Sequence, residues 1–512
     1  MSEINFETTL NSGYTFKKDF ITLGTGMLNG EGITNVLIKV PLKTINRHGL
    51  IAGATGTGKT KTLQILAEQL SLKGIPSLLM DVKGDLSGLA MPGENNDHIA
   101  WRHGVIGLDY EPTEIPVELM TISDGDGVKL RATVTEFGPV LFSKILSLND
   151  TQTGIISLIF KYCDDNQLPL LDLDDVKKTL QFSMKEGKEE LTAEYGTISS
   201  SSINTILRKI IELEQQKADL FFGEKSFEVD DLLRKKEKKG VVSIIRLNNI
   251  QDKPKLFSTF MLSLMSEVYH TLPEEGDSGK PKLAIFIDEA HLIFDTASKT
   301  LLDQIETMVK LIRSKGVGLY FVTQNPTDVP DAILSQLGLK IQHSLRAFTA
   351  KDRKNIKQTA QNYPISEFYK TDEVLTSMGI GEALITALDE KGKPTPLAHT
   401  LLRAPVSRMD ILTPSEISKL VKESDLVSKY NKDVNRESAY EILSEKIKVA
   451  QKEENQQKLK EDNKKHKKTR GRVKKEVSTI DALSKNTMVR QLGRTILREV
   501  TRGLLGALGV KR

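Results

Sequence analysis

Eight consecutive residues constrain this chain more than anything else in it: Gly53-Ala54-Thr55-Gly56-Thr57-Gly58-Lys59-Thr60. They follow the short apolar run His48-Gly49-Leu50-Ile51-Ala52. After them, from Thr60 to Lys73, Leu63, Leu66, Ala67 and Leu70 recur at the spacing of one helix face, and Pro76 to Met80 is apolar again. Strand, glycine loop, helix and strand in that order form a βαβ unit, which calls for a parallel sheet with crossover helices. The residue types at the turn have a physical purpose. Glycines let backbone N–H groups converge on phosphate oxygens, and a helix N-terminus adds partial positive charge. Lys59 would reach the β- and γ-phosphates of a bound nucleotide, and the Thr60 hydroxyl would ligate Mg²⁺. The loop by itself implies ATP or GTP.

A loop of this kind needs an acid at the end of a neighbouring strand. Leu283-Ala284-Ile285-Phe286-Ile287-Asp288-Glu289 supplies one. Asp288 would hold the metal and Glu289 would polarise the attacking water as general base. Paired with the loop, the two acids point to ATP hydrolysis. His291 follows closely, but no second histidine stands at zinc-ligand spacing, so it reads as a packed or nucleotide-side polar residue. Gln324 ends the apolar run Leu319 to Thr323, where ligands bind in open α/β sheets; it either senses the γ-phosphate or bonds backbone at a loop start. Asp81 and Asp85 also stand at a strand end, with a metal-linked role and a turn-forming role both open.

The rest of the chain divides by pattern. Residues 1–45 read as a short β-rich segment punctuated by Gly24, Gly26, Gly30 and Gly32. Residues 46–127 would be the first part of the core, 128–239 a helical insertion with a Glu- and Lys-rich surface, and 240–413 the second part of the core. Within that second part, 381–401 looks like a hairpin turning at Asp389-Glu390-Lys391-Gly392. From 414 to 512 the chain is highly charged and aromatic-poor, a helical or partly disordered tail. One cysteine, Cys163, excludes a disulfide within the chain. The N-terminus lacks the basic-then-apolar order of a secretory signal, and no stretch approaches the roughly 18 to 20 apolar residues of a membrane span. The expectation is a cytoplasmic enzyme without a transmembrane segment.

Five strings together resemble one branch of P-loop ATPases: HGLIAGATGTGKT, LLMDVKGDLSGLA, KLAIFIDEAHLIF, LIRSKGVGLYFVTQNPTDVPDAIL and QHSLRAFTAKDR. Their combination and order over residues 45–405 is similar to the bacterial HerA-like helicases, relatives of the FtsK translocases. That resemblance implies a RecA-like α/β core with a helical insertion. It also implies hexameric rings that hydrolyse ATP at subunit interfaces and pump DNA through the pore. Carried over, Lys59 and Thr60 match the loop pair, Asp288 and Glu289 the metal and base pair, and Gln324 the sensor. A ring also requires an arginine from a neighbouring subunit, for which Arg346 is the first candidate and Arg313 the second. Either arginine has an exposed or ion-paired surface role as its plain alternative. Archaeal HerA proteins carry an N-terminal β-barrel that docks a nuclease; the short segment before residue 46 argues against such a partner here.

The net charge of +4, from 72 basic and 68 acidic residues, conceals an uneven distribution. The run KKHKKTRGRVKK, residues 464–475, holds eight lysines and arginines and no acid. Such a run attracts phosphate backbones through counterion release, or serves as a solvated linker. Beyond it Arg490, Arg494, Arg498 and Arg502 recur every fourth residue, with Leu492, Ile496, Val500 and Leu504 offset by two. A helix there would carry separate basic and apolar faces, suited to DNA, an anionic membrane surface or a neighbouring subunit. The leading expectation is a DNA-dependent ATPase motor. Its rivals are a P-loop phosphotransferase and an ATP-switched scaffold that binds protein partners.

Overall fold

A computed structural model describes residues 3–247, 253–276, 279–295, 299–432, 434, 436–449, 451–452 and 456. Its strands, in chain order, are β1 (Phe20–Leu28), β2 (Glu31–Pro41), β3 (Gly49–Ala52), β4 (Ser77–Asp81), β5 (Val117–Thr121), β6 (Val128–Lys129), β7 (Lys235–Lys236), β8 (Lys239–Gly240), β9 (Val242–Arg246), β10 (Leu283–Ile287), β11 (Val317–Thr323), β12 (Leu339–Gln342), β13 (Glu382–Thr386) and β14 (Ala398–Leu402). Twelve of them make one sheet, ordered β2-β1-β14-β13-β12-β3-β11-β10-β4-β9-β5-β6, while β7 and β8 pair separately.

From β12 to β6 every neighbouring pair is parallel. From β12 through β13, β14 and β1 to β2 every pair is antiparallel. The composition explains the division. Strands β3, β4, β10 and β11 are buried at every residue, as parallel strands covered by helices on both faces must be. By contrast β2 alternates over its second half, with Val36, Ile38 and Val40 inward. The expected hairpin at 381–401 is β13–β14, closed by Gly392 N–H donating to Asp389 O at 2.9 Å.

The core lies where Leu63, Leu66 and Leu70 of the helix Lys59–Leu72 meet Ile51, Leu79, Ile244, Phe286, Tyr320 and Ile341 from six neighbouring strands of the sheet. Phe286 and Tyr320 stack with ring centroids 4.7 Å apart. Ahead of β1, the first segment forms a helix, Glu3–Gly13, whose Phe6 and Leu10 are wholly buried; the reading of 1–45 as strands and turns did not include it.

Two compact units divide the described residues, one within Met1–Arg131 and Ser226–Asp433, the other within Ala132–Lys225 and the described residues from Val434. The second unit holds the helices Val134–Ile145, Asp150–Asp165, Leu173–Met184, Lys188–Tyr195 and Ser200–Glu214. Three of them start with a reciprocal cap, at Thr133 with Glu136, Asn149 with Gln152 and Asp172 with Asp175. Tyr440 is tied to this unit, its N–H donating to Asp175 Oδ1 at 2.8 Å. Residues 226–239, read from sequence with the insertion, belong to the sheet unit. So do the helices Pro414–Lys422 and Asp425–Tyr430. The basic run 464–475 and the arginines at 490, 494, 498 and 502 lie outside the described residues. Among the described residues no helix is long and apolar enough to cross a membrane.

Candidate nucleotide site

Three adjacent parallel strands bring the sequence-predicted residues together. At the carboxyl end of β3 the loop Gly53–Gly58 turns into the helix Lys59–Leu72. At the carboxyl end of β10 stand Asp288 and Glu289, and β11 lies between the two, ending at Gln324. The register fixes their levels. Thr323 is opposite Ala52, and Phe321 is opposite both Leu50 and Ile287, so Gln324 emerges beside Gly53 one strand over from the acids. Gly53 N–H donates to Thr323 O at 3.3 Å and Ala290 N–H to Val322 O at 2.9 Å, tying both functional segments to β11.

The loop leaves room for phosphate because of its glycines. Gly53 adopts φ +154°, and a Cβ there would come within 2.5 Å of the His343 side chain. Gly58, with φ +114°, caps the helix in the left-handed region that favours glycine. Ala54, Thr55 and Gly56 form the outer turn, with Thr55 and Gly56 exposed, and the Thr57 hydroxyl donates back to Ala54 O at 2.7 Å. Lys59 is buried and donates to Gly53 O at 2.7 Å and Ala54 O at 3.1 Å, so its ammonium lies along the inner wall of the loop. Burial and the like charge of Lys83 lower its pKa. Thr60 follows on the first helical turn, half-buried.

Asp288 is 4% exposed and its Oδ2 has no hydrogen-bond partner among the described residues. Burial, with the adjacent Glu289 charge, pushes its pKa up to about 7. An orphaned buried carboxylate oxygen of this kind suits a cation. Thr60 and Asp288 supply one hydroxyl and one carboxylate, and among the described residues no group of three or more acids, histidines or cysteines is placed to hold a metal ion. That is the donor set for a magnesium carried mainly by nucleotide phosphates, not for an all-protein cage.

Glu289 has a left-handed backbone, φ +47°, uncommon for a residue with a side chain. Its Oε1 forms an ion pair with Lys83, in the turn after β4. Burial raises the Glu289 pKa, but the Lys83 ammonium outweighs that and holds it below the usual range, so the carboxylate is charged. Its Oε2 lies 3.2 Å from His291 Nδ1 without hydrogen-bond geometry.

Other readings are sharpened by position. Asp81 accepts the N–H groups of Gly84 at 2.7 Å, Asp85 at 3.3 Å and Leu86 at 3.1 Å, which is turn formation, the second of its two open roles. Arg346 donates from Nη2 to Thr55 O of its own loop at 3.1 Å. An arginine engaged in cis does not fit the expected reach into a neighbouring subunit. Arg313 sits in the 3₁₀ turn before β11, at the opposite end of that strand from the loop. Seven strand residues separate those ends by roughly 20 Å, beyond the reach of its side chain to its own site.

Two residues were missed. Lys83 lies inside the quoted LLMDVKGDLSGLA, but its partner is distant in sequence. His343 supports the loop from beneath: its N–H donates to Ala52 O at 2.7 Å and its Nε2 pairs with the Thr62 hydroxyl at 2.8 Å. Burial lowers its pKa to about 4, leaving a neutral ring.

The family described as helicase HerA-like C-terminal matches residues 27–512. The chain belongs to the HerA-like helicase family. It is 22% identical over 362 residues to the DNA double-strand break repair helicase HerA of Sulfolobus acidocaldarius, covering 69% of this chain and 64% of that protein. Against the protein of the same description from Sulfurisphaera tokodaii it is 22% identical over 385 residues, covering 71% and 66%. This HerA-like chain thus spans just under two thirds of the length of either relative. Among solved structures, the bacterial conjugative coupling protein TrwBdeltaN70 in its unbound form is 14% identical, with a TM-score of 0.50 over 79% of this chain and 95% of that one. At that identity the likeness concerns the fold, a RecA-like P-loop core.

Proposed function

We propose that this HerA-like protein hydrolyses ATP and couples the turnover to movement along DNA as a ring, with each site completed by a neighbouring subunit. One observation carries the reading: the glycine loop, the Asp288-Glu289 pair and Gln324 stand at the same end of three adjacent parallel strands, β3, β10 and β11. Gly53 to Gly58 would cradle the phosphates through backbone N–H groups, and Lys59 would hold the β- and γ-oxygens. Thr60 and Asp288 would hold Mg²⁺, which when bound neutralises charge on the phosphates. Glu289, charged and buried, would accept a proton from the attacking water. Gln324, set between the loop and the acids, would register whether the γ-phosphate is present.

Coupling to DNA draws its support from family membership and from the HerA relatives, which are described as DNA double-strand break repair helicases. The basic run 464–475 adds a segment suited to phosphate backbones. The test is ATPase rate against added single- and double-stranded DNA, with Lys59→Ala as the control that removes nucleotide binding. DNA-stimulated turnover in the wild type, absent in Lys59→Ala, is the expected result. A flat response to both DNAs would replace the motor with an ATP-switched scaffold.

A further inference from the structure

The side chains of Lys83 and Glu289 differ sharply in their surroundings. Glu289 is 4% exposed and Lys83 is 39% exposed, so the ion pair joins a fixed, buried anion to a cation whose stem reaches in from solvent. The backbone that carries this carboxylate is tied down on both sides: Ala290 N–H donates to Val322 O, and Leu292 N–H to Glu289 O, each at 2.9 Å. Lys83 hangs from the turn that Asp81 organises through the N–H groups of Gly84, Asp85 and Leu86, and its side chain is 39% exposed. Lys59 is close enough to feel Lys83 as a like charge and Asp288 and Glu289 as opposite ones. Two lysines and two acids therefore share one small volume.

A nucleoside triphosphate entering beside Lys59 adds several negative charges to that volume. Lys59 answers part of that charge from the loop, where it bonds to Gly53 O and Ala54 O, and the half-exposed Lys83 is the second cation able to answer. A general base, moreover, is weakened while an ammonium sits on it. We propose that Lys83 is an exchangeable counter-ion of this site: it pairs with Glu289 and is drawn from it to the terminal phosphate of a bound triphosphate, which frees the carboxylate to face water. The proposal rests on the ATP reading of the loop. Lys83 thereby positions Glu289 and makes the site respond differently to a triphosphate and a diphosphate, because only the former carries a phosphate at the acid end.

Binding, without turnover, decides the matter. Affinities for ADP and for a non-hydrolysable ATP analogue are measured by calorimetry on the full chain with Mg²⁺, for wild type, Lys83→Met and Lys83→Arg. A charge-assisted contact to phosphate is lost in Lys83→Met, so affinity for the triphosphate analogue should fall roughly 10- to 100-fold while ADP affinity stays within about 2-fold. Lys83→Arg, which keeps the charge, should restore most of the difference. An equal loss for both nucleotides, or no loss for either, would overturn the exchange and leave Lys83 as a fixed partner of Glu289. Failure of wild type to bind ADP at all would instead overturn the nucleotide reading. If Lys83→Met does not fold, the wild type still answers. Acylation of Lys83, followed by mass spectrometry, should be slower with the triphosphate analogue than with ADP, and equal rates would refute the exchange.

Discussion

Glu68 is fully buried on the helix that follows the phosphate loop, and it accepts from Val406 N–H at 2.9 Å, Ser407 N–H at 3.2 Å and the Ser407 hydroxyl at 2.9 Å. Burial pushes its pKa up from 4.5 to about 7. The folded state then binds the proton more tightly than the unfolded chain. Its contribution to stability is complete below pH 4.5 and is lost as pH rises through about 7. The shift corresponds to about 3 kcal/mol at most. Glu68→Gln should lose less stability than wild type between pH 5 and pH 8 in urea unfolding; parallel losses would show that Glu68 does not titrate as stated. At the site itself, Arg346 contacts its own loop through one exposed hydrogen bond. Arg346→Ala should therefore raise KM for ATP by about 2- to 10-fold and leave kcat largely intact. A kcat collapse with unchanged KM would return Arg346 to a transition-state role. Lys59, Asp288 and Glu289 were legible because each sits inside a short string whose spacing has a chemical reason. Lys83 and His343 were not, since their meaning comes from partners some 200 residues or more away in the chain, Glu289 and Thr62.

Among the elements, the antiparallel extension β13-β14-β1-β2 shows what local pattern conveys and what it does not. The β13–β14 hairpin was readable from its turn residues. That β1 would lie against β14, some 370 residues later, was not, because the glycines of 24–32 read only as punctuation. Gly24 is opposite Leu402, and a Cβ on it would come 2.0 Å from Leu401 O. The two backbones approach so closely that no side chain fits. Gly24→Ala should destabilise the sheet unit by about 1 to 3 kcal/mol, as overpacking does, readable as a fall in thermal midpoint. An unchanged midpoint would mean that β1 shifts register without cost. The boundaries of the helical unit were harder for a different reason. Residues 226–239 are charged like the insertion, but Arg234 pairs with Glu118 of β5 at 2.7 Å, which holds that stretch to the sheet.

At the scale of the whole molecule the open matter is the ring. Arg313 stands at the far end of β11 from its own loop, where it can serve catalysis only for another subunit. The proposed assembly makes this testable by mixing. Arg313→Ala and Glu289→Gln should each lower turnover by about 100-fold or more, the scale of a lost charge stabiliser or general base. A mixture of the two should recover measurable ATPase, because interfaces then form with an intact base on one side and an intact arginine on the other. No recovery, with mixed oligomers demonstrated, would remove Arg313 from a trans role.

The sequence alone determined the phosphate loop, its acid pair, the parallel α/β core and the resemblance to HerA-like helicases, because short-range spacing and apolar periodicity encode them directly. Only the tertiary structure decided which end of the sheet each residue occupies. It placed Gln324 between the loop and the acids, put Arg346 on its own loop and Arg313 at the opposite end. Across two neighbouring strands, it also closed the Lys83–Glu289 ion pair. Charge pairing between strands depends on sheet order, and sheet order is set by long-range packing that no local stretch of chain records.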